Sequence, residues 1–273
     1  FTANTPQEFQ IKAKNIDGVE GSYSPSGTGY TFANKSDSPT LTPMSTTVMK
    51  VVIDTASNPA NTEYAVRFIN ALYINNQTGT SQISPDFATY DEWGGVNGIG
   101  VSGLSPNNTY SFVVYARNGD GVISNPTFGS AMYTLANVPG IPTITRISAS
   151  SARVVVNRNG NPSTTNYAIL EVNSGDFVQT DGTIGNTEQW ATYNQWGNSN
   201  GITLNSLVLG TNYEFRVKAR NDQTPTHVET SYSASSNSYS SLGAPVIGTP
   251  TALDATSIRW NFSETLNNED GFR

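Results

Sequence analysis

The chain has 273 residues, no cysteine, 13% charged residues and a net charge of −7. The missing cysteines exclude disulfides, zinc-thiolate sites and thiol nucleophiles. The acidic balance argues against nucleic acid as a partner, because phosphate binding needs clustered Lys and Arg.

The first segment, Phe9-Gln-Ile-Lys-Ala-Lys-Asn15, returns as Phe112-Val-Val-Tyr-Ala-Arg-Asn118 and Phe215-Arg-Val-Lys-Ala-Arg-Asn221, so the chain repeats itself every 103 residues. Pro39, Pro142 and Pro245 keep the same interval, as do Trp93 and Trp196. Solenoid units run about 20 to 50 residues. A period near 100 is the size of a whole small domain.

Phe9, Ile11 and Ala13 alternate with Gln10, Lys12 and Lys14. That period of two predicts a half-buried antiparallel strand. Asn15-Ile-Asp-Gly18 then reads as a turn. Strands are predicted at Val51–Ile53 and, after Asn58-Pro59, at Tyr64–Phe68. Asp86–Trp93 has the composition of a single helical turn. Tyr110, Phe112, Val114 and Ala116 mark the inward face of the next strand, and Asn118-Gly-Asp-Gly121 its turn. The second copy repeats these elements at Val154–Val156, Tyr167–Leu170 and Tyr213–Arg220. Its outward row, Glu214, Arg216, Lys218 and Arg220, is expected to be solvated, and its turn is replaced by a longer loop around His227. Ile258-Arg-Trp260-Asn-Phe262 opens a further copy. Short strands with frequent turn signals imply an all-β sandwich.

The run Leu104-Ser-Pro-Asn-Asn-Thr-Tyr110-Ser-Phe112, with its counterpart from Leu207 through Tyr213, resembles the corner tyrosine and following strand of the fibronectin type III family. Trp260 stands where that family often places a core tryptophan. The pattern departs at Gln7, which holds the corner position of the first copy, and at Val52 and Val155, near the tryptophan position of the complete copies. Asn-Pro-x-x-Thr-x-Tyr-Ala from Asn58 and Asn161, Asp181-Gly-Thr, and the aromatic-Ala-Thr-Tyr-x-x-Trp-Gly phrases from Phe87 and Trp190 are similar to a subgroup found in large prokaryotic secreted and surface proteins. The resemblance implies tandem antiparallel sandwiches over essentially the whole chain.

The prolines set the expected divisions: a partial domain at 1–38, complete domains at 39–141 and 142–244, and a further partial domain at 245–273 that stops at Asp270-Gly-Phe-Arg273. The chain opens on Phe rather than Met, as a processed or excised segment would. Either it is part of a longer array, or the partial domains pair between molecules.

No catalytic, cofactor-binding or metal-binding residue emerges. His227 is the sole histidine and no strained nucleophile turn accompanies it. Asp17, Asp120 and Asp181 each precede Gly and read as turn formers; no run of carboxylates suits calcium. Tyr90, Trp93, Trp190, Tyr193 and Trp196 form the most distinctive set. They could stack on sugar rings, or Trp93 and Trp196 could cover one edge of the core, which recurrence in both copies favours. Asn34, Asn76, Asn107 and Asn261 begin glycosylation acceptor patterns.

No apolar run is long enough to span a membrane. The expected function is that of a non-catalytic extracellular structural protein at a prokaryotic cell surface: a filament, surface-layer or adhesin-stalk component. Its partners would be neighbouring domains of the same long chain, further copies of itself, or surface glycans. The alternative is a spacer or glycan-binding region of a secreted polysaccharide-degrading enzyme.

Overall fold

The computed structural model describes residues 1–68, 72–240, 242 and 244–263. The expected end at Asp270–Arg273 lies outside the described residues. The chain divides into two compact units, Phe1–Leu135 and Ala136–Arg273.

The first unit contains one complete sandwich. One sheet orders Asp37–Pro43, Met49–Asp54 and Ile99–Val101, all antiparallel. The other is built on the pair Glu63–Phe68 and Phe112–Arg117, with Phe128 and Thr127 outside one strand and Tyr73–Ile74 and Ser81–Gln82 beyond the other. Alternation explains the layering. Met49, Val51 and Ile53 point inward from the first sheet, and Tyr64, Val66, Phe112, Val114 and Ala116 from the second, all buried in one core.

The second unit repeats this plan. Gly140–Ser148, Ser151–Asn157 and Ile202–Leu204 form one sheet; Asn166–Glu171 and Asn212–Arg220 are the central strands of the other. Val154, Val156, Tyr167, Ile169, Phe215, Val217 and Ala219 fill its core.

Two expectations need adjustment. Phe9 and Ile11 were expected to be half-buried, but they are 61% and 77% exposed. Regular pairing there covers only Pro6–Phe9 against Gly27–Tyr30, and no opposing sheet packs on that hairpin among the described residues. The same reason leaves Ile258, Trp260 and Phe262 exposed, although Phe262 pairs with Ile247. In the outward row of the second unit, Lys218 is not solvated: its side chain is 13% exposed.

The tyrosines Tyr110 and Tyr213 each close a corner. Their hydroxyls accept the backbone N–H of Ser105 at 2.8 Å and of Val208 at 2.9 Å, five residues upstream. With a three-stranded sheet facing a larger one, this corner makes each unit a fibronectin type III-like sandwich.

Candidate functional site

The turn after Ala88–Thr89 places the first of the distinctive aromatics. Trp93 N–H closes a helical turn onto Thr89 O at 3.0 Å. The carboxylate of Glu92 folds back to accept the Thr89 N–H and hydroxyl, both at 2.8 Å, which is a capping arrangement. These bonds hold the Glu92 carboxyl below its ordinary pKa. Gln195 does the same for Thr192 in the second unit, at 2.9 and 3.0 Å.

This turn swings Trp93 and Trp196 into the interior, where they are 2% and 0% exposed. Their indole N–H groups donate to Tyr64 O at 2.8 Å and Tyr167 O at 2.9 Å. The cores thus take their largest aromatic from this turn, while Val52 and Val155 stay outside the buried set. The turn closes only because glycine follows. A Cβ on Gly98 or Gly201 would lie 2.3 or 2.4 Å from the carbonyl of Val51 or Val154, and both residues have positive φ.

Tyr90, Tyr193 and Trp190 are half-buried. Tyr90 packs against the first core and Tyr193 against the second, and the Arg158 guanidinium lies 4.8 Å from the Tyr193 ring. Trp190 sits on the outer face of the central strands, with Arg220 at 4.5 Å and Lys218 at 5.1 Å from its ring. Its indole N–H donates to Glu188 at 3.1 Å. Lys218 bridges Glu188 and Glu229, at 2.7 Å each. Burial draws the Lys218 pKa down, but the two carboxylates outweigh it and leave the ammonium above the usual lysine value. The structure therefore separates the five aromatics: two are core residues, and three reach the surface at different places.

Two polar devices were not read from the sequence. The first binds the hairpin of residues 1–33 to the sandwich in the first unit. Asn4, at φ 42° and 1% exposed, donates its amide to Thr62 Oγ1 at 2.9 Å and accepts the Gly119 N–H at 2.8 Å. Asn118 donates to Thr31 O at 3.1 Å, and Asp120 accepts the Tyr30 N–H at 2.6 Å. The signal was present in the turn asparagines, whose side chains also organise their own loops: Asn118 Oδ1 accepts Val122 N–H at 2.8 Å.

The second device is a clasp. Asn58 exchanges two hydrogen bonds with the backbone of Asn34, at 2.7 and 2.8 Å. Asn161 does the same to Asn137, at 2.8 Å each. The Asn-Pro phrase thus does more than turn the chain: its amide imitates a strand partner and pins the incoming segment.

The remaining candidates are structural. His227 Nδ1 lies 2.8 Å from Asn221 O, and Asp181 accepts the Thr183 N–H and hydroxyl at 2.9 and 2.7 Å. Asn107, an acceptor pattern in sequence, is 2% exposed. Glu171, buried where the first copy has Phe68, accepts Ser174 N–H and Oγ–H at 2.8 Å and Glu214 N–H at 3.0 Å, so both of its carboxyl oxygens are hydrogen-bonded. No group of three or more His, Asp or Glu converges among the described residues.

The fold and these joints define a tandem array of fibronectin type III-like sandwiches. No family model matches the chain, and no curated protein matches it in sequence. Among solved structures it is similar to a two-domain fibronectin type III segment of chicken tenascin, with 12% identity and a TM-score of 0.44, covering 76% of this chain and 99% of that one. It is also similar to the FN1–FN3 domains of chicken CNTN1, with 15% identity and a TM-score of 0.28, covering 88% of this chain and 76% of that one.

Proposed function

We propose that this chain is part of a non-catalytic, extracellular structural array, in which successive sandwiches space or assemble components at a prokaryotic cell surface as a filament, surface layer or adhesin stalk. The division into a partial domain at 1–38, complete domains at 39–141 and 142–244 and a partial domain at 245–273 belongs to this reading. The observation that carries it is the investment in joints. Asn4 is buried and doubly bonded to hold a hairpin on a sandwich, and Asn58 and Asn161 pin the segments that enter each sandwich. Such fasteners fix the segments that enter each sandwich, which suits a load-bearing or spacing element.

The apolar faces of the end hairpins, at Phe9 and Ile11 and at Trp260 and Phe262, would be covered by further repeats of a longer chain or by a second copy. Burying such faces is worth about 25 cal/mol per Å2. Glycan contact by Tyr90, Trp190 and Tyr193 is a second role for the surface aromatics, whereas the burial of Trp93 and Trp196 favours a fold role for those two.

Electron microscopy of native material, with the intact mass of the chain, tests the reading. Filaments or lattices repeating at the spacing of stacked sandwiches support it. A mass far above this segment assigns the hairpins to a longer array, and a mass equal to it assigns them to strand exchange. Isolated flexible particles with a catalytic domain attached would favour the accessory region of a polysaccharide-degrading enzyme.

A further inference from the structure

The first copy carries a covalent acceptor pattern at a turn where the second copy has none. Asn76-Gln77-Thr78 is one of four Asn-x-Ser/Thr patterns in the chain, with those that begin at Asn34, Asn107 and Asn261. Such a pattern serves N-glycosylation only where the amide, and the hydroxyl two residues on, can both be reached from outside. The structure sorts the four.

Asn107 is 2% exposed. Ser36, two residues after Asn34, is fully buried and donates its hydroxyl to Asp54 O at 2.7 Å, while the Asn34 amide donates to Ala56 O at 3.1 Å. From Asn261 the chain is held in a ladder. Phe262 and Ser263 pair with Ile247 and Val246, and Asn261 O accepts the Gly248 N–H at 2.8 Å.

Asn76 differs on each count. It lies on the turn between Tyr73–Ile74 and Ser81–Gln82, closed by the Gly79 N–H onto Asn75 O at 2.9 Å. Its neighbour Asn75 holds the turn: the Asn75 Oδ1 accepts Gln77 N–H at 3.0 Å, Thr78 N–H at 2.9 Å and Thr78 Oγ–H at 3.0 Å. The backbone N–H of Asn76 donates to Asp86 at 2.9 Å. The Asn76 side-chain amide bonds to none of the described residues and is not shut away from solvent, and Gln77 and Thr78 are exposed. In the second copy the corresponding turn closes one residue sooner, from Gly182 N–H to Gln179 O at 3.0 Å, and Thr180-Asp181 offers no acceptor.

We propose that Asn76 is the N-glycosylation site of this chain, taking an oligosaccharide activated on a lipid diphosphate. Asn76 Nδ2 bonds to the anomeric carbon. The bond from that carbon to the diphosphate oxygen breaks, the diphosphate leaves with the electron pair, and the amide gives up one proton to solvent. The place suits a covering group. Ser81–Gln82 is the last strand of the larger sheet, and Ile83 beside it is 86% exposed. An open strand edge invites pairing between molecules, and a hydrated glycan on the adjoining turn blocks it there. The site rests on the extracellular part of the array reading and not on assembly.

The test is glycopeptide mass spectrometry of native material, beside the full chain secreted from a host that N-glycosylates. Sugar at Asn76 is expected in both, with the peptides of Asn34, Asn107 and the second-copy turn unmodified. Asn76→Gln and Thr78→Ala should each lose the added mass while near-ultraviolet circular dichroism stays unchanged. Thr78→Ser, which returns the hydroxyl, should regain it. Sugar at another acceptor in place of Asn76, a native chain without sugar, or Thr78→Ala modified as fully as the parent chain would overturn the proposal. Native chains that carry sugar at Asn76 but form no filament or lattice would keep the site and overturn assembly; filaments of unmodified chain would do the reverse.

Discussion

The side-chain amide of Asn4 donates to Thr62 Oγ1 at 2.9 Å, joining residues 58 apart, and its oxygen takes the Gly119 N–H on the other side. One buried side chain therefore satisfies donors and acceptors of two separate loops. Replacing it by Ala leaves the buried Thr62 hydroxyl short of a donor and frees the Gly119 N–H, which is exposed and can turn to water. An unmet buried group costs about 1–3 kcal/mol. Asn4→Ala should release the hairpin of residues 1–33 while the sandwich keeps its own melting transition. Hydrogen exchange at Gly119 should rise at least tenfold, with core amides such as Val114 unchanged; equal protection in both proteins would show that the joint is held by something else.

The interior tryptophans carry a second expectation. Trp93→Ala and Trp196→Ala each remove a fully buried ring and one buried indole bond, and should destabilise their own unit by about 3–5 kcal/mol in denaturant unfolding. Trp190→Ala, on the surface, should cost about 1 kcal/mol or less. If all three cost the same, the division between core and surface aromatics fails.

Glycine at position 201 is a steric requirement as well as a conformational one. Its φ is +69°, and an added methyl would meet Val154 O at 2.4 Å. Gly201→Ala should therefore exceed the about 1 kcal/mol of an ordinary positive-φ replacement and shift the turn that carries Trp196. Near-ultraviolet circular dichroism of the tryptophans is the readout. By contrast, a Cβ at Gly175 meets nothing within 4 Å, so Gly175→Ala, at φ +77°, isolates the conformational part alone.

The strands were legible in the sequence because alternation is a local signal. Phe112, Val114 and Ala116 announce a buried face whatever lies opposite, and they are buried. The same signal misleads at Phe9 and Ile11, because periodicity states which side is apolar and not whether a partner sheet covers it. The corner tyrosines were legible for a related reason: Tyr110 reaches only five residues back. The Asn4 joint and the Asn58 clasp were not, since the bonded partners lie 58 and 24 residues away and asparagine in a loop reads first as a turn former. The place of Trp93 was half legible. Recurrence favoured the core, but only the turn geometry set by Gly98 shows how a residue outside the main strands gets there.

Alkaline titration follows from the core tyrosines. Burial pushes the Tyr167 phenol up to about 12, with Thr165 and Asn161 only partly offsetting the effect, and burial raises Tyr64 as well. The Tyr167 hydroxyl has no hydrogen-bond partner of good geometry. A phenol whose pKa is raised on folding holds its proton more tightly in the folded state. Its contribution is fully present below pH 10, the unfolded value, and is lost as pH climbs through the folded value near 12. The second unit should therefore lose stability between those limits. Tyr167→Phe should remove much of that loss and, since it deletes an unmet buried hydroxyl, leave neutral-pH stability equal or higher. Denaturant unfolding of both proteins at pH 8 and at about pH 11 decides the matter: the same alkaline loss in Tyr167→Phe would place the titrating group elsewhere.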